Sequence, residues 1–155
     1  MMALRLAKAK GTLSNTDFHR YLQELEIIPN KVKEALETNA KAKEIAAIFK
    51  NTQNCLYLGR GYNFPVALEG ALKLKEVSYI HAEGYPAAEM KHGPIALIDE
   101  HMPVIVIAPK QGHYDKIVSN IQEIKSRSGI IIAVVTKGDT QVRGLADYII
   151  EMPET

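Results

Sequence analysis

The arrangement of apolar and polar positions changes character near residue 50. From there on, short apolar runs alternate with amphipathic segments in which apolar residues recur at helical spacing. The predicted strands are 55–58, 103–108, 130–135 and 147–151, and the predicted helices are 65–79 and 114–127. Strands that are apolar on both sides are typical of a parallel sheet buried between two helical layers. We therefore predict a three-layer α/β/α domain with a parallel sheet over residues 51–155.

Residues 1–50 form a region of their own, rich in Lys, Glu, Ala and Leu. Ser14 or Asn15 is a candidate N-cap for a helix whose apolar residues recur every three or four positions. Pro29 is predicted to interrupt that helix, and a further break is predicted near Asn39. The pattern therefore indicates a charged helical arm whose amphipathic faces serve packing or an interface.

Composition and charge argue against several classes of protein. The 155 residues are 46% hydrophobic and 24% charged, and the net charge of +1 gives no electrostatic reason to expect a nucleic-acid partner. The longest apolar runs fall far short of the roughly 20 residues of a membrane-spanning helix, and residues 1–14 lack the apolar core of a signal peptide. A single cysteine, Cys55, allows neither an intramolecular disulfide nor a structural zinc site. We therefore predict a cytoplasmic protein without nucleic-acid or membrane contacts.

A glycine-containing turn, Gly59-Arg60-Gly61, joins the first predicted strand to the following helix. Such a turn is able to present backbone N–H groups to an anion, and ligands of α/β sheets bind at the carboxyl ends of the strands. Phe64 stands where the dinucleotide-binding fingerprint needs its third glycine, which disfavours a nucleotide-binding domain. The turn is therefore a candidate substrate-binding element, with a purely structural turn as the alternative.

The helix after this turn carries a polar stripe made of Glu69, Lys73 and Glu76, which fall at positions i, i+4 and i+7. A carboxylate beside an ammonium shifts the pKa of its neighbour, and the two serve as a base and its electrostatic partner. Because the helix begins at the carboxyl edge of the sheet, we expect Lys73 and Glu76 to converge with residues 59–61 in one cleft. The alternative is a solvated surface ion pair.

Residues 81–94 contain histidines, acids, glycines and prolines, a composition that predicts an irregular but fixed loop. The pairs His81-x-Glu83 and Glu89-x-x-His92 have the residue types of metal ligands but complete no zinc set. We therefore predict neither a metal nor a cofactor. His92, which precedes a Gly-Pro turn, is a candidate for proton transfer, and a structural histidine is the alternative.

The segment 58–99 contains the runs EGALKLKE, HAE and KHGP and closely resembles the second SIS domain of the glutamine–fructose-6-phosphate aminotransferase (glucosamine-6-phosphate synthase) family. In that family, the isomerase half converts fructose 6-phosphate and ammonia to glucosamine 6-phosphate. The resemblance implies that Glu76 moves a proton between C1 and C2 and that Lys73 assists near the sugar oxygens. It implies that His92 opens the sugar ring and is able to reach the site of a neighbouring subunit, so a homodimer is expected. A non-catalytic SIS module that binds sugar phosphates or mediates assembly is the alternative.

The sequence also departs from this family. It lacks the S-x-S-G-x-T loop that binds the sugar phosphate, the amino-terminal glutaminase domain, and the tail lysine that follows the final strand. Residues 1–14 resemble the last helix of a first SIS domain. We therefore expect a fragment, truncated at its C-terminus, that self-associates and has little or no synthase activity alone. Cys55 lies in a predicted strand and is expected to belong to the core.

Overall fold

The computed structural model describes residues 1–154, in which helices and strands alternate after a helical start. The helices are α1 (Met2–Ala9), α2 (Asn15–Leu36), α3 (Asn39–Phe49), α4 (Asn63–Ser78) and α5 (Tyr114–Lys125). The strands are β1 (Asn54–Gly59), β2 (His81–Pro86), β3 (Pro103–Ala108), β4 (Ile130–Thr136) and β5 (Tyr148–Met152).

The chain forms two compact units, Met1–Glu37 and Thr38–Glu154. The second unit includes α3, which the sequence pattern assigns to the helical arm. Ile45 of α3 is buried, and the ring of Phe49 lies edge-on to Tyr148 of β5 with 5.4 Å between centroids. These contacts attach α3 to the second compact unit, and the predicted domain boundary at residue 50 stays a prediction.

The first unit consists of α1 and α2. The side chain of Ser14 accepts a 3.0 Å hydrogen bond from the backbone N–H of Asp17, which confirms the predicted cap. The Lys8 ammonium lies 4.2 Å from the centroid of the Phe18 ring and links the two helices. The interruption predicted at Pro29 is wrong, since Pro29 lies inside α2. A proline removes one backbone hydrogen bond, and the 22-residue helix tolerates this loss in its interior.

The second unit is built on a five-stranded sheet with the order β2-β1-β3-β4-β5, and every neighbouring pair is parallel. This confirms the predicted parallel sheet and four of its strands. The prediction of a loop over residues 81–86 is wrong, because these residues form β2 at the edge of the sheet. Gly84, Pro86 and Glu83 are weak strand formers, and an edge strand needs only one paired side.

Helices cover both faces of the sheet, as predicted. Leu56 and Leu58 of β1 point to the face that is packed by Ile121 of α5. Cys55 points to the opposite face, where it meets Ala71 of α4. Tyr148 of β5 aligns across the sheet with Tyr57 of β1, through Ile132 and Ile105. Phe49 of α3 contacts Tyr148, and Tyr57 packs with Ala71 of α4, so α3 and α4 lie on the same face.

Small residues bring α4 close to the sheet. Ala67 and Ala71 are buried, and a Cβ atom at Gly70 would lie only 2.7 Å from the Tyr57 ring. The charged side of α4 therefore faces away from the sheet. None of the helices within residues 1–154 combines the length and the apolar character required to cross a membrane.

Candidate active site

The polar stripe predicted on α4 is present as a chain of charged contacts. The ammonium nitrogen Nζ of Lys73 lies 2.7 Å from Oε2 of Glu76 and 3.7 Å from Oε1 of Glu69. All three side chains are at least half exposed. The hydrogen bond from Lys73 to Glu76 raises the pKa of the Lys73 ammonium, and the charge of Glu76 acts in the same direction. Lys73 is therefore held in its cationic form beside a carboxylate.

Apolar side chains flank this stripe on the solvent side of α4. Val66, Leu72 and Val77 lie three or four positions from the charged residues and are 52%, 42% and 76% exposed. Single exposed apolar side chains are normal on protein surfaces, so they do not separate a binding face from a solvated ion pair. A role of the stripe in binding stays a prediction, with a surface ion pair as the alternative.

The stripe does not converge with the Gly59–Gly61 turn, contrary to the expectation of one shared cleft. Helix α4 begins at Asn63, directly after that turn. From Asn63 to Glu76 the helix rises by about 20 Å, at 1.5 Å per residue. Lys73 and Glu76 consequently lie in the last turns of α4, toward the amino ends of the strands. Residue spacing identifies the side chains that share a face, but it does not fix the end of the helix at which a site forms.

The backbone of the turn explains its glycines. A Cβ atom at Gly59 would lie 2.1 Å from the carbonyl oxygen of Asn63, and Gly61 has a φ of +56°. Gly61 also faces His113, which follows β3, and Arg60 is half-buried. The turn thus lines the carboxyl-edge crevice between β1 and β3, where the strand order reverses. These contacts favour the structural interpretation of Gly59 and Gly61, and binding of substrate by the turn stays a prediction.

His92 lies on the other face of the sheet. It belongs to a 3₁₀ turn, Met90–His92, in the connection between β2 and β3 (residues 87–102). Met90 is fully buried in the core on the α5 face, whereas His92 is exposed. The structure therefore brings Lys73 and Glu76 together but leaves His92 of the same copy across the sheet from them.

Other candidates for chemistry make local contacts only. His81 Nε2 lies 3.3 Å from Glu83 Oε1, and His81 Nδ1 lies 3.2 Å from Asn54 Oδ1. Within residues 1–154, no three or more His, Cys, Asp or Glu side chains are grouped so as to hold a metal ion. Burial raises the pKa of the Cys55 thiol to about 12, as expected for a core cysteine and not for a nucleophile.

Comparison with known proteins identifies the family of the second unit. The sequence profile of the SIS domain matches residues 48–155, more than half of the chain. The chain belongs to the SIS domain family. The whole chain is 61% identical over 155 residues to the glutamine–fructose-6-phosphate aminotransferase [isomerizing] of Bacteroides thetaiotaomicron, and 58% identical over 154 residues to that of Chlorobaculum tepidum. It spans about a quarter of the length of each relative (25%).

Solved structures agree with this assignment. The C-terminal domain of glucosamine-fructose-6-phosphate aminotransferase from Francisella tularensis superimposes with a TM-score of 0.90 and 38% identity. The alignment covers 98% of this chain and 43% of that one. A putative tagatose-6-phosphate ketose/aldose isomerase from Clostridium novyi shares the fold alone, with a TM-score of 0.77 and 20% identity. The alignment covers 90% of this chain and 37% of that one. The resemblance inferred from EGALKLKE, HAE and KHGP is confirmed.

The sequence pattern does not single out Glu123, which contacts the turn that carries His92. Glu123, on α5, lies with its Oε1 atom 2.5 Å from the ammonium nitrogen of Lys91, the residue before His92. The predicted amphipathic helix over 114–127 contains this acid, but no local spacing links it to a loop that is distant in sequence. Only the crossing of the β2–β3 connection over α5 brings the two charges together.

Proposed function

We propose that the chain is a portion of a glutamine–fructose-6-phosphate aminotransferase and carries part of its sugar-phosphate isomerase site. Identity of 61% over all 155 residues with the Bacteroides thetaiotaomicron enzyme supports this. The observation that carries the proposal is the 2.7 Å pair between the Lys73 ammonium and the Glu76 carboxylate, on an exposed helix face flanked by apolar residues. The proposed substrate is fructose 6-phosphate, and the proposed product is glucosamine 6-phosphate.

The proposed chemistry assigns a separate role to each member of this pair. Ammonia condenses with the C2 carbonyl of the sugar to give an imine, and water leaves. Glu76 removes a proton from C1, and a proton then returns at C2, while the nitrogen gains the proton that O1 loses. This leaves an aldehyde at C1 and an amine on C2. Lys73 stays cationic because the hydrogen bond to Glu76 raises its pKa, and it stabilises negative charge that develops on the sugar oxygen.

His92 is proposed to open the sugar ring in the site of a second copy of the chain. Within one copy, His92 lies on the α5 face of the sheet and Glu76 lies on the exposed side of α4. A homodimer in which His92 approaches the stripe of its partner accounts for both placements. Sedimentation of this chain only as a monomer at high micromolar concentration would contradict the homodimer.

The proposed site is incomplete within these residues. The sequence contains no S-x-S-G-x-T motif for the sugar phosphate, and its relatives are four times as long. A glutaminase domain and a first SIS domain are the proposed partners within a longer polypeptide, so the chain alone is expected to have little or no synthase activity. A cytoplasmic location is proposed because the single cysteine is buried and reduced.

A chimeric synthase tests the proposal, with residues 1–155 in place of the matching quarter of the Bacteroides thetaiotaomicron enzyme. Glu76→Gln should abolish formation of glucosamine 6-phosphate and leave glutamine hydrolysis largely intact, because the amide cannot accept the C1 proton. The matched control is Glu100→Gln, since Glu100 is an exposed acid far along the chain from the stripe. Unchanged synthesis in the Glu76 variant would remove Glu76 from the mechanism and favour a non-catalytic SIS module.

A further inference from the structure

The turn that carries His92 is attached to helix α5 by an ion pair of its own. Lys91 and Glu123 approach to 2.5 Å, although they are far apart in sequence. On the other side of Lys91, the side chain of Met90 is completely buried in the core. The residues immediately before His92 are therefore fixed twice, once by apolar packing and once by charge.

The backbone around His92 is equally constrained. The N–H of His92 donates a 3.0 Å hydrogen bond to the carbonyl oxygen of Glu89. Gly93 follows with a φ of +149°, a conformation that residues with a Cβ atom rarely adopt. Within residues 1–154, the imidazole ring itself makes no hydrogen bond or ion pair. The orientation of the ring thus depends on the turn beneath it and not on partners of its own.

The ion pair between Glu123 and Lys91 requires partial burial of a carboxylate, which carries a desolvation penalty. The Glu123 side chain is only 30% exposed, and its second carboxylate oxygen, Oε2, is buried without a hydrogen-bond partner among the described residues. The same holds for Oδ1 of Asn120, three positions earlier on α5. An apolar residue of similar size at position 123 would avoid this desolvation cost. Stability alone therefore does not account for the carboxylate.

We propose that Glu123 is a positioning residue for His92. Through its ion pair with Lys91, Glu123 holds the 3₁₀ turn against the rigid α5 face, so that the exposed imidazole projects in one direction toward its substrate. This inference rests on the proposed role of His92 in the isomerase reaction. Positioning of this kind matters because a displacement of about 1 Å is able to cost 100-fold in rate.

Charge reversal in the chimeric synthase tests the ion pair directly. Glu123→Lys and Lys91→Glu should each lower kcat for glucosamine 6-phosphate formation by about tenfold, with KM for fructose 6-phosphate changed by less than about twofold. The double reversal recreates the pair with opposite polarity and should restore kcat to within about threefold of the unsubstituted chimera. Full activity in both single variants, or a double variant as slow as the single ones, would overturn the proposal.

A second ion pair on the same helix supplies the control. Lys125 is the last residue of α5, and its ammonium nitrogen lies 2.5 Å from Oδ1 of Asp147. This ion pair does not involve the turn that carries His92. Lys125→Glu should therefore leave kcat unchanged, while a loss equal to that of Glu123→Lys would indicate general damage to α5 and overturn the specific role. Glu123→Gln retains a hydrogen-bond acceptor without the charge and should give a kcat between those of the unsubstituted chimera and Glu123→Lys. It replaces Glu123→Lys in the test if the reversed charge prevents folding.

His92→Ala distinguishes this inference from the proposed function. Full synthesis in His92→Ala would remove the histidine from the reaction, and the positioning role of Glu123 would be overturned with it. Loss of synthesis in His92→Ala together with full activity in the Glu123 variants would overturn the positioning role alone. Amide hydrogen exchange of residues 90–93 in the 155-residue chain gives an independent readout, and Glu123→Gln should accelerate it. Unchanged exchange would contradict the tether.

Discussion

Helix α4 and the β2–β3 connection both carry candidate catalytic side chains, but they are attached to the sheet in different ways. Helix α4 approaches the sheet through small residues, Ala67, Gly70 and Ala71, and its charges pair with each other on the opposite side. The connection contains only short 3₁₀ turns. It is held by the buried side chains of Ala87, Met90 and Ile98 and by the ion pair that joins Lys91 to α5.

This difference separates local from long-range determinants of a site. On α4, the geometry of Lys73 and Glu76 follows from helical spacing, so it persists as long as the helix does. In the connection, the direction of His92 depends on contacts with residues that are distant in sequence. We therefore expect the two regions to respond differently when a single supporting contact is removed.

The largest effect is expected from Met90→Ala. Met90 is completely buried, and truncation of such a side chain should lower the free energy of unfolding by about 2–5 kcal/mol, since lost transfer energy and a cavity both contribute. Chemical denaturation of the 155-residue chain measures this loss. Leu97→Ala in the same connection is the matched control, because Leu97 is 56% exposed and should cost less than about 0.5 kcal/mol.

A small loss for Met90→Ala, equal to that of Leu97→Ala, would break the comparison. It would mean that the connection is able to detach from the core without affecting the second unit. A large loss together with faster amide exchange over residues 90–93 would sharpen it, since the turn beneath His92 would then depend on this one contact.

The sequence predicted the parts of the fold that local patterns encode. The β-branched runs at 103–108 and 130–135 became central strands because a strand buried on both sides must be continuously apolar. The sequence pattern does not predict strand β2, because His81, Gly84 and Pro86 do not form an apolar or alternating run. This strand lies at the edge of the sheet and pairs only with β1. The break predicted at Pro29 is absent, because a long helix is able to continue through a proline at the cost of one backbone hydrogen bond.

The candidate site shows the same division. The spacing of Glu69, Lys73 and Glu76 correctly predicts side chains that share one face and contact each other. The spacing did not indicate that the stripe lies toward the amino ends of the strands, because that depends on the direction of α4 along the sheet. The contact between Lys91 and Glu123 was also beyond reach, since it arises from the path of the connection across α5.

The smallest expected effect concerns the pKa of Lys73, and it tests how local the stripe on α4 is. The hydrogen bond to Glu76 contributes most to the raised pKa of Lys73, and Glu69 contributes less. Glu76→Gln should therefore lower the pKa of the Lys73 ammonium toward its ordinary value of 10.5, and Glu69→Gln should lower it by a smaller amount. NMR titration of the Lys73 side chain in the 155-residue chain measures both shifts.

The sign of the linked stability follows from the direction of the shift. Because the pKa of Lys73 is higher in the folded chain than in the unfolded chain, the pair contributes stability fully below about pH 10.5 and loses it as the pH rises through the folded value. Both side chains are at least half exposed, so solvent screens the pair and the contribution to stability is small. Equal shifts in the two variants would contradict a pair dominated by Glu76. If Met90→Ala leaves the Lys73 titration unchanged, the stripe is independent of the connection on the opposite face, and the two regions are separate parts of the site.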